Sequence, residues 1–159
     1  MIHLSGTRFG DLSIGDDAVI SFPDGLIGFS HEKRFALIER PNGHIAYLQS
    51  LTTPHLALPV VDASVLRPAY PAIGVDKLAE LSGARPEHMA ILVVVAVDPE
   101  GQLRANLLAP VVTDVDSRVG RQIILEGTSY GANTPIGGKK PSKPVSGKPS
   151  SATNAASAD

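Results

Sequence analysis

The residues that could do chemistry are few. The chain has no cysteine, which excludes disulfides, thiol nucleophiles, thiolate zinc sites and Cys-ligated iron–sulfur clusters. Its five histidines are His3, His31, His44, His55 and His88, and no two share the i, i+4 spacing that puts metal ligands on one helix face. His31 is followed by Glu32, and the pair could act as a base if it stood on a loop. His55 with Asp62 could form a dyad, yet no serine stands out as its nucleophile. No Walker loop, G-x-G-x-x-G or H-E-x-x-H is present. Gly137-Gly138-Lys139-Lys140 hints at phosphate binding, but no helix is expected behind it. The histidines therefore read as ordinary solvated or hydrogen-bonded side chains, with no cofactor or metal expected. A small β-barrel ligand binder or hydrolase using His55 or His31 is the alternative.

One stretch is chemically unusual in another way. Phe22-Pro23-Asp24-Gly25-Leu26-Ile27-Gly28-Phe29 has the glycines and proline of a loop and the apolar content of a core. Loops normally run over the surface and are polar. This one must either tuck into the core or be offered to a partner.

The elements that would position it are mostly strands. Ala18–Phe22 is β-branched. Phe35–Glu39 and Ile45–Gln49 flank Pro41-Asn42-Gly43, a hairpin signal because Asn and Gly tolerate positive φ. Leu56–Val61 contains Pro59, which cannot donate to a ladder and so predicts an edge strand or a bulge. Met89–Val97 reads as a buried strand ending at the turn Asp98-Pro99-Glu100-Gly101, with a return through Leu103–Leu107. Val111–Val115 and Gln122–Leu125 form a last pair around Ser117–Gly120. One helix is expected, capped by Asp76, with Leu78 and Leu81 three residues apart and Gly83 ending it. Pro86 opens a further turn at Glu87-His88. Many short strands with close turns give an all-β, barrel-like antiparallel fold with one or two short helices.

The chain has 159 residues and a formal charge of −2. That value hides a division near Pro135. Residues 1–134 carry 10 Lys+Arg against 15 Asp+Glu, or −5; residues 135–159 carry four lysines against one aspartate, or +3. The second segment holds four prolines and five serines, with only Ile136 and Val145 large and apolar. It cannot bury enough surface to offset ordering entropy and reads as a disordered tail. Weak RNA binding by its lysines would need aromatic stacking residues, which it lacks. The longest apolar run, Met89–Val97, is nine residues against the ~20 of a membrane helix. With no signal-like N-terminus, a cytoplasmic protein is expected.

Five motifs resemble the FliW family of flagellar assembly factors. Thr7-Arg8-Phe9-Gly10 is similar to its opening motif, and Phe22–Phe29 to its F-P-E/D-G-L-P-G-F signature. Leu48-Gln49-Ser50-Leu51 with Pro54–Leu58, Asn106–Val112, and Gly120–Leu125 follow in the family's order. Ile27 stands where the family usually has Pro. Tyr47 replaces a larger aromatic, and Leu58-Pro59 an aromatic-plus-aliphatic pair. The resemblance implies a cytoplasmic, β-barrel-like, monomeric binding protein, not an enzyme. It would bind the translational repressor CsrA, antagonising it allosterically, and would bind flagellin, so coupling flagellin synthesis to assembly.

On that reading Phe22, Pro23, Gly25, Gly28 and Phe29 shape the loop, with Phe22 and Phe29 inward. Asp24 and Leu26 face outward and contact a partner together with Ile27. Arg8 is either a structural ion-pair residue or part of the interface. Asp11, Asp16 and Asp17 are either a solvated turn or a contact to basic CsrA surface. Gln49 and Asn106 are buried hydrogen-bonding residues.

Overall fold

The computed structural model describes residues 1–41 and 43–136. Among the described residues eleven strands run in chain order: β1 Ile2–Thr7, β2 Gly10–Ile14, β3 Val19–Ser21, β4 Arg34–Ile38, β5 Ile45–Ser50, β6 Ala57–Asp62, β7 Met89–Val97, β8 Leu103–Ala105, β9 Val111–Asp114, β10 Val119–Gln122 and β11 Thr134–Ile136. One helix, α1, spans Val75–Ser82. Seven strands close into a ring in the order β3-β4-β5-β6-β7-β9-β10. Every junction is antiparallel except the closing one, where β10 meets β3 in parallel through Val119 and Ser21. Closure leaves these strands without free edges. The second half of β7 diverges to pair with β8, which carries β11.

Period-2 alternation fills the ring. Ile20, Phe22, Leu26, Phe35, Leu48, Val60, Leu92 and Val111 form its interior. The alternate residues face outward and are covered in three places. The β1–β2 hairpin covers β4 through Leu4, Ile14, Ala36 and Leu51. The segment after β6, with β8 and β11, covers Val61, Val93 and Val95. Helix α1 covers Val112 through Leu78.

Several details differ from expectation. β6 is an internal strand, although it contains Pro59. Pro59 lies opposite Tyr47 on β5, and the ladder to β7 starts only at Val60, so no donor is missed on that side. β10 begins at Val119 rather than Gln122, placing Gly120 inside the strand. The turn before it is tightened by Asp114, whose carboxylate accepts the backbone N–H groups of Asp116 and Ser117 at 3.0 and 3.1 Å. In α1 the N-cap is Gly74, and Asp76 sits in the first turn, where its charge suits the helix dipole. Leu78 is buried, whereas Leu81 is exposed. Gly83 ends the helix with φ 82°. Strand pairing continues past residue 134, because Pro135 and Ile136 pair with Arg104 and Leu103. The rest of the expected tail, and Asn42 of the expected hairpin turn, lie outside the described residues.

Gln49 is fully buried and donates through Nε2 to the carbonyls of Ser50 and Pro54 at 2.9 and 2.8 Å. Asn106 Oδ1 accepts the Ala109 N–H at 3.1 Å.

Two predictions follow from the packing. A Cβ on Gly120 would stand 2.6 Å from Phe22 Cε2, while one on Gly28 would meet nothing within 4 Å. Gly120→Ala should cost about 1–3 kcal/mol through overpacking. Gly28→Ala should cost only the ~1–2 kcal/mol of its positive φ. Urea unfolding of both variants checks the ranking.

The second concerns acid. The Arg85 guanidinium, and then the Ser117 N–H, hold the buried Asp114 carboxyl well below the usual carboxylate range. A depressed pKa stabilises the fold above the unfolded value of ~3.9, and that stabilisation is lost as pH falls below it. Asp114→Asn should therefore lower Tm clearly at neutral pH, with the gap to the parent narrowing below about pH 4. Melting curves across pH read this directly; a constant gap would contradict it.

Candidate docking loop

The loop between β3 and β4 is anchored at its base and tightly folded. Phe22 N–H donates to the Lys33 carbonyl at 2.8 Å, continuing the β3–β4 ladder. The Phe22 ring is fully buried, 5.4 Å from the Phe35 ring at 85°. Gly25 has φ 66°, and a Cβ there would stand 2.6 Å from the carbonyl oxygens of Phe29 and Ser30. Glycine is thus required on two counts.

Leu26 and Phe29 then close a reversal on each other. Phe29 N–H donates to Leu26 O at 2.7 Å, and Leu26 N–H to Phe29 O at 3.2 Å. Ile27 and Gly28 are its central residues. Only Gly28, at φ 85°, has positive φ, which defines a type II turn. Proline suits the first central position of such a turn. Ile27 instead keeps an N–H, which donates to Gln122 Oε1 at 2.8 Å. Gln122 Nε2 in turn donates to Ala109 O at 2.9 Å, so one amide ties the turn to the barrel wall.

This geometry corrects two expectations. Leu26 faces inward and is 3% exposed; Phe29 faces outward at 36%. Leu26 joins Phe22 and Phe35 in the barrel interior. With Leu26 committed there, the reversal carries Ile27, at 53% exposure, and Phe29 into solvent. Asp24 is exposed as expected and is ion-paired to Arg121.

The other expected partner residues are not gathered at this loop. Arg8 makes no ion pair among the described residues; its guanidinium lies over Tyr47, 4.6 Å from the ring centroid. Asp16 and Asp17 sit in a short 3-10 turn at the start of β3, whereas the loop leaves its end. Asp16 accepts the N-terminal ammonium at 3.1 Å. Asp11 lies exposed at the start of β2. Sequence reading missed the roles of Arg121 and Gln122. Both lie within the Gly120–Leu125 motif, but nothing local signals that the Ile27 amide, 95 residues from Gln122, is its partner.

The two histidines of the alternative reading stand apart from the cavities found among the described residues. His31 and His55 are exposed and line neither of two cavities. One, about 890 Å³, is lined by Leu66, Tyr70, Leu103, Tyr130 and Ile136. The other, about 290 Å³, lies at a barrel mouth and is lined by Leu37, Glu39, His44 and Asp62. Glu32, beside His31, is bonded to the hydroxyls of Ser50 and Thr53. Asp62, the suggested partner of His55, caps the next turn through Ser64 N–H at 2.9 Å. Among the described residues no cluster of three or more His, Asp or Glu could hold a metal, and no helix is long and apolar enough to cross a membrane.

The family model described as FliW protein matches residues 3–136. The chain belongs to the FliW family. A flagellar assembly factor FliW of Geotalea uraniireducens (strain Rf4) is 36% identical over 138 residues, covering 85% of this chain and 84% of that protein. One from Bdellovibrio bacteriovorus is 32% identical, covering 84% and 78%. A crystal structure of the flagellar assembly factor FliW superposes with a TM-score of 0.74 at 29% identity, over 84% of this chain and 95% of the other. The FliW match runs from within β1 to the end of β11, and it contains the whole candidate docking loop.

The two corrections separate stability from surface. Leu26→Ala should destabilise by about 2–5 kcal/mol, as a buried leucine does. Ile27→Pro should be near neutral, because a lost hydrogen bond of ~0.5–1.5 kcal/mol is set against ~0.4–1 kcal/mol gained by restricting the unfolded chain. Chemical denaturation of the two variants distinguishes them.

Proposed function

We propose that this chain is a cytoplasmic flagellar assembly factor that binds CsrA and flagellin. In this role it relieves CsrA repression of flagellin translation, acting allosterically and as a monomer when free. Newly made flagellin competes for it and so couples synthesis to assembly. It works by binding and performs no catalysis.

The observation that carries this reading is the pair Ile27 and Phe29. They are two apolar side chains held outward on a hydrogen-bonded turn, in the stretch that resembles the family's signature. A preorganised apolar tip loses little entropy on docking. Flagellin's amphipathic terminal segments suit such a surface. The −5 charge of residues 1–134 suits CsrA, whose RNA-binding role requires basic surface.

Calorimetric titration of the full chain with CsrA and with flagellin from the same cell tests it. The Ile27→Asp, Phe29→Ser double variant should keep its unfolding free energy within about 1 kcal/mol of the parent's, since both side chains are exposed. It should lose at least about tenfold in affinity for one partner. Parental affinity for both would remove the loop from the interface. No binding of either partner by the folded parent would end the proposal.

A further inference from the structure

A second surface lies at the other end of β4 and β5. Three separate pieces of chain meet there. The tip of the β1–β2 hairpin contributes Arg8 and Phe9, the segment after β4 contributes Arg40, and β5 contributes Tyr47. The Phe9 and Tyr47 rings stand edge to face, 5.1 Å apart at 64°. Arg8 Cζ lies 4.6 Å from the Tyr47 centroid and 5.6 Å from that of Phe9; Arg40 Cζ lies 5.2 Å from Phe9. The hairpin tip is fixed, because Thr7 Oγ1 accepts the Phe9 N–H at 3.0 Å and donates to Gly10 O.

These arginines differ from most others in the chain. Among the described residues, Arg85, Arg104 and Arg121 each hold a carboxylate of this chain. Arg67 and Arg118 hold backbone carbonyls. Among the same residues Arg8 and Arg40 hold neither, and Arg34 likewise, but Arg34 lies over no ring. Glu39, adjacent in sequence, makes no ion pair with either. A domain with 15 acidic residues has carboxylates to spare. Two guanidiniums brought beside one ring with no ion-pair partner among the described residues repel each other, and the aromatic faces offset only part of that. Stacking also leaves the planar N–H edges free for bidentate carboxylate recognition.

We propose that Arg8, Phe9, Arg40 and Tyr47 form a docking site for an acidic peptide segment. Its carboxylates take the guanidinium edges, and an intervening apolar side chain lies on the exposed part of Phe9. A nucleic acid would offer anions too, but it carries a charge on every nucleotide, which the −5 domain repels more strongly than it repels a short segment with two carboxylates held at the guanidiniums. The site is separate from the docking loop and does not depend on the identity of the loop's partner. The two surfaces lie at opposite ends of the same two strands and can be occupied together.

The test is an NMR titration of the full chain, following the arginine Nε–H and tyrosine ring signals. The probe is the peptide acetyl-Glu-Phe-Glu-amide, with its Gln counterpart as control. Saturable shifts should centre on Arg8, Phe9, Arg40 and Tyr47 with the acidic peptide and be absent with the control. The Arg8→Lys, Arg40→Lys double variant keeps both charges, so a Kd at least about tenfold higher identifies guanidinium recognition. No shift with the acidic peptide, or an unchanged Kd in the lysine variant, would overturn the site. Tighter binding of a single-stranded RNA oligonucleotide would overturn its assignment to a peptide.

Discussion

The absence of a side chain at Gly120 lets the barrel close around Phe22. Gly120 sits on the closing strand, and the Phe22 ring fills the space that a Cβ there would occupy. The closing seam is short: β10 and β3 share one register pair, Val119 with Ser21, reinforced by Ser21 N–H to Arg118 O at 2.9 Å. With so few backbone bonds at the seam, side-chain packing across it must carry much of the closure. Phe22 does this from the first residue of the loop, so the constraint that closes the ring also sets where the loop begins.

The loop's exposed chemistry follows from that anchor. Phe22 and Leu26 are both in the core, four residues apart, and Gly25 lets the chain cross close to the Phe29 and Ser30 carbonyls. Each inward commitment forces the next residues out. Gln122, two residues beyond Gly120 on the same strand, then fixes the turn by accepting from Ile27. Closure of the barrel and presentation of the apolar tip are thus served by one strand. The arginine–aromatic surface is built differently, by a hairpin laid over the outside of the ring.

Much of the fold was legible because it is local. β-branched runs, turn residues and the Gly83 stop placed most strands and the helix within a few residues. Pro59 misled, because the rule that proline sits on edges concerns the donor it lacks, and β7 reaches β6 only after that position. The shift of β10 was hidden for a similar reason. Ser117–Gly120 reads as a turn, yet Gly120 is a strand glycine chosen for close approach to a ring that the sequence places far away. The candidate site was legible as a stretch but not as a surface. Composition identified an apolar loop. It could not say that Leu26 faces in and Phe29 out, since that depends on which residue enters the barrel. The arginine–aromatic cluster was invisible for the same reason, because its members come from three segments.

The central claim is that the loop is a rigid extension of the barrel rather than a mobile connection. Native-state hydrogen exchange at single-amide resolution tests it most directly. The account predicts that the Gly25, Ile27 and Phe29 amides, each donating to a hydrogen bond, exchange far more slowly than the exposed Gly28 amide and approach the protection of Phe35 and Leu48 in the barrel wall. Exchange of all three at the rate of an open loop would show that the tip is not preorganised and would contradict the account.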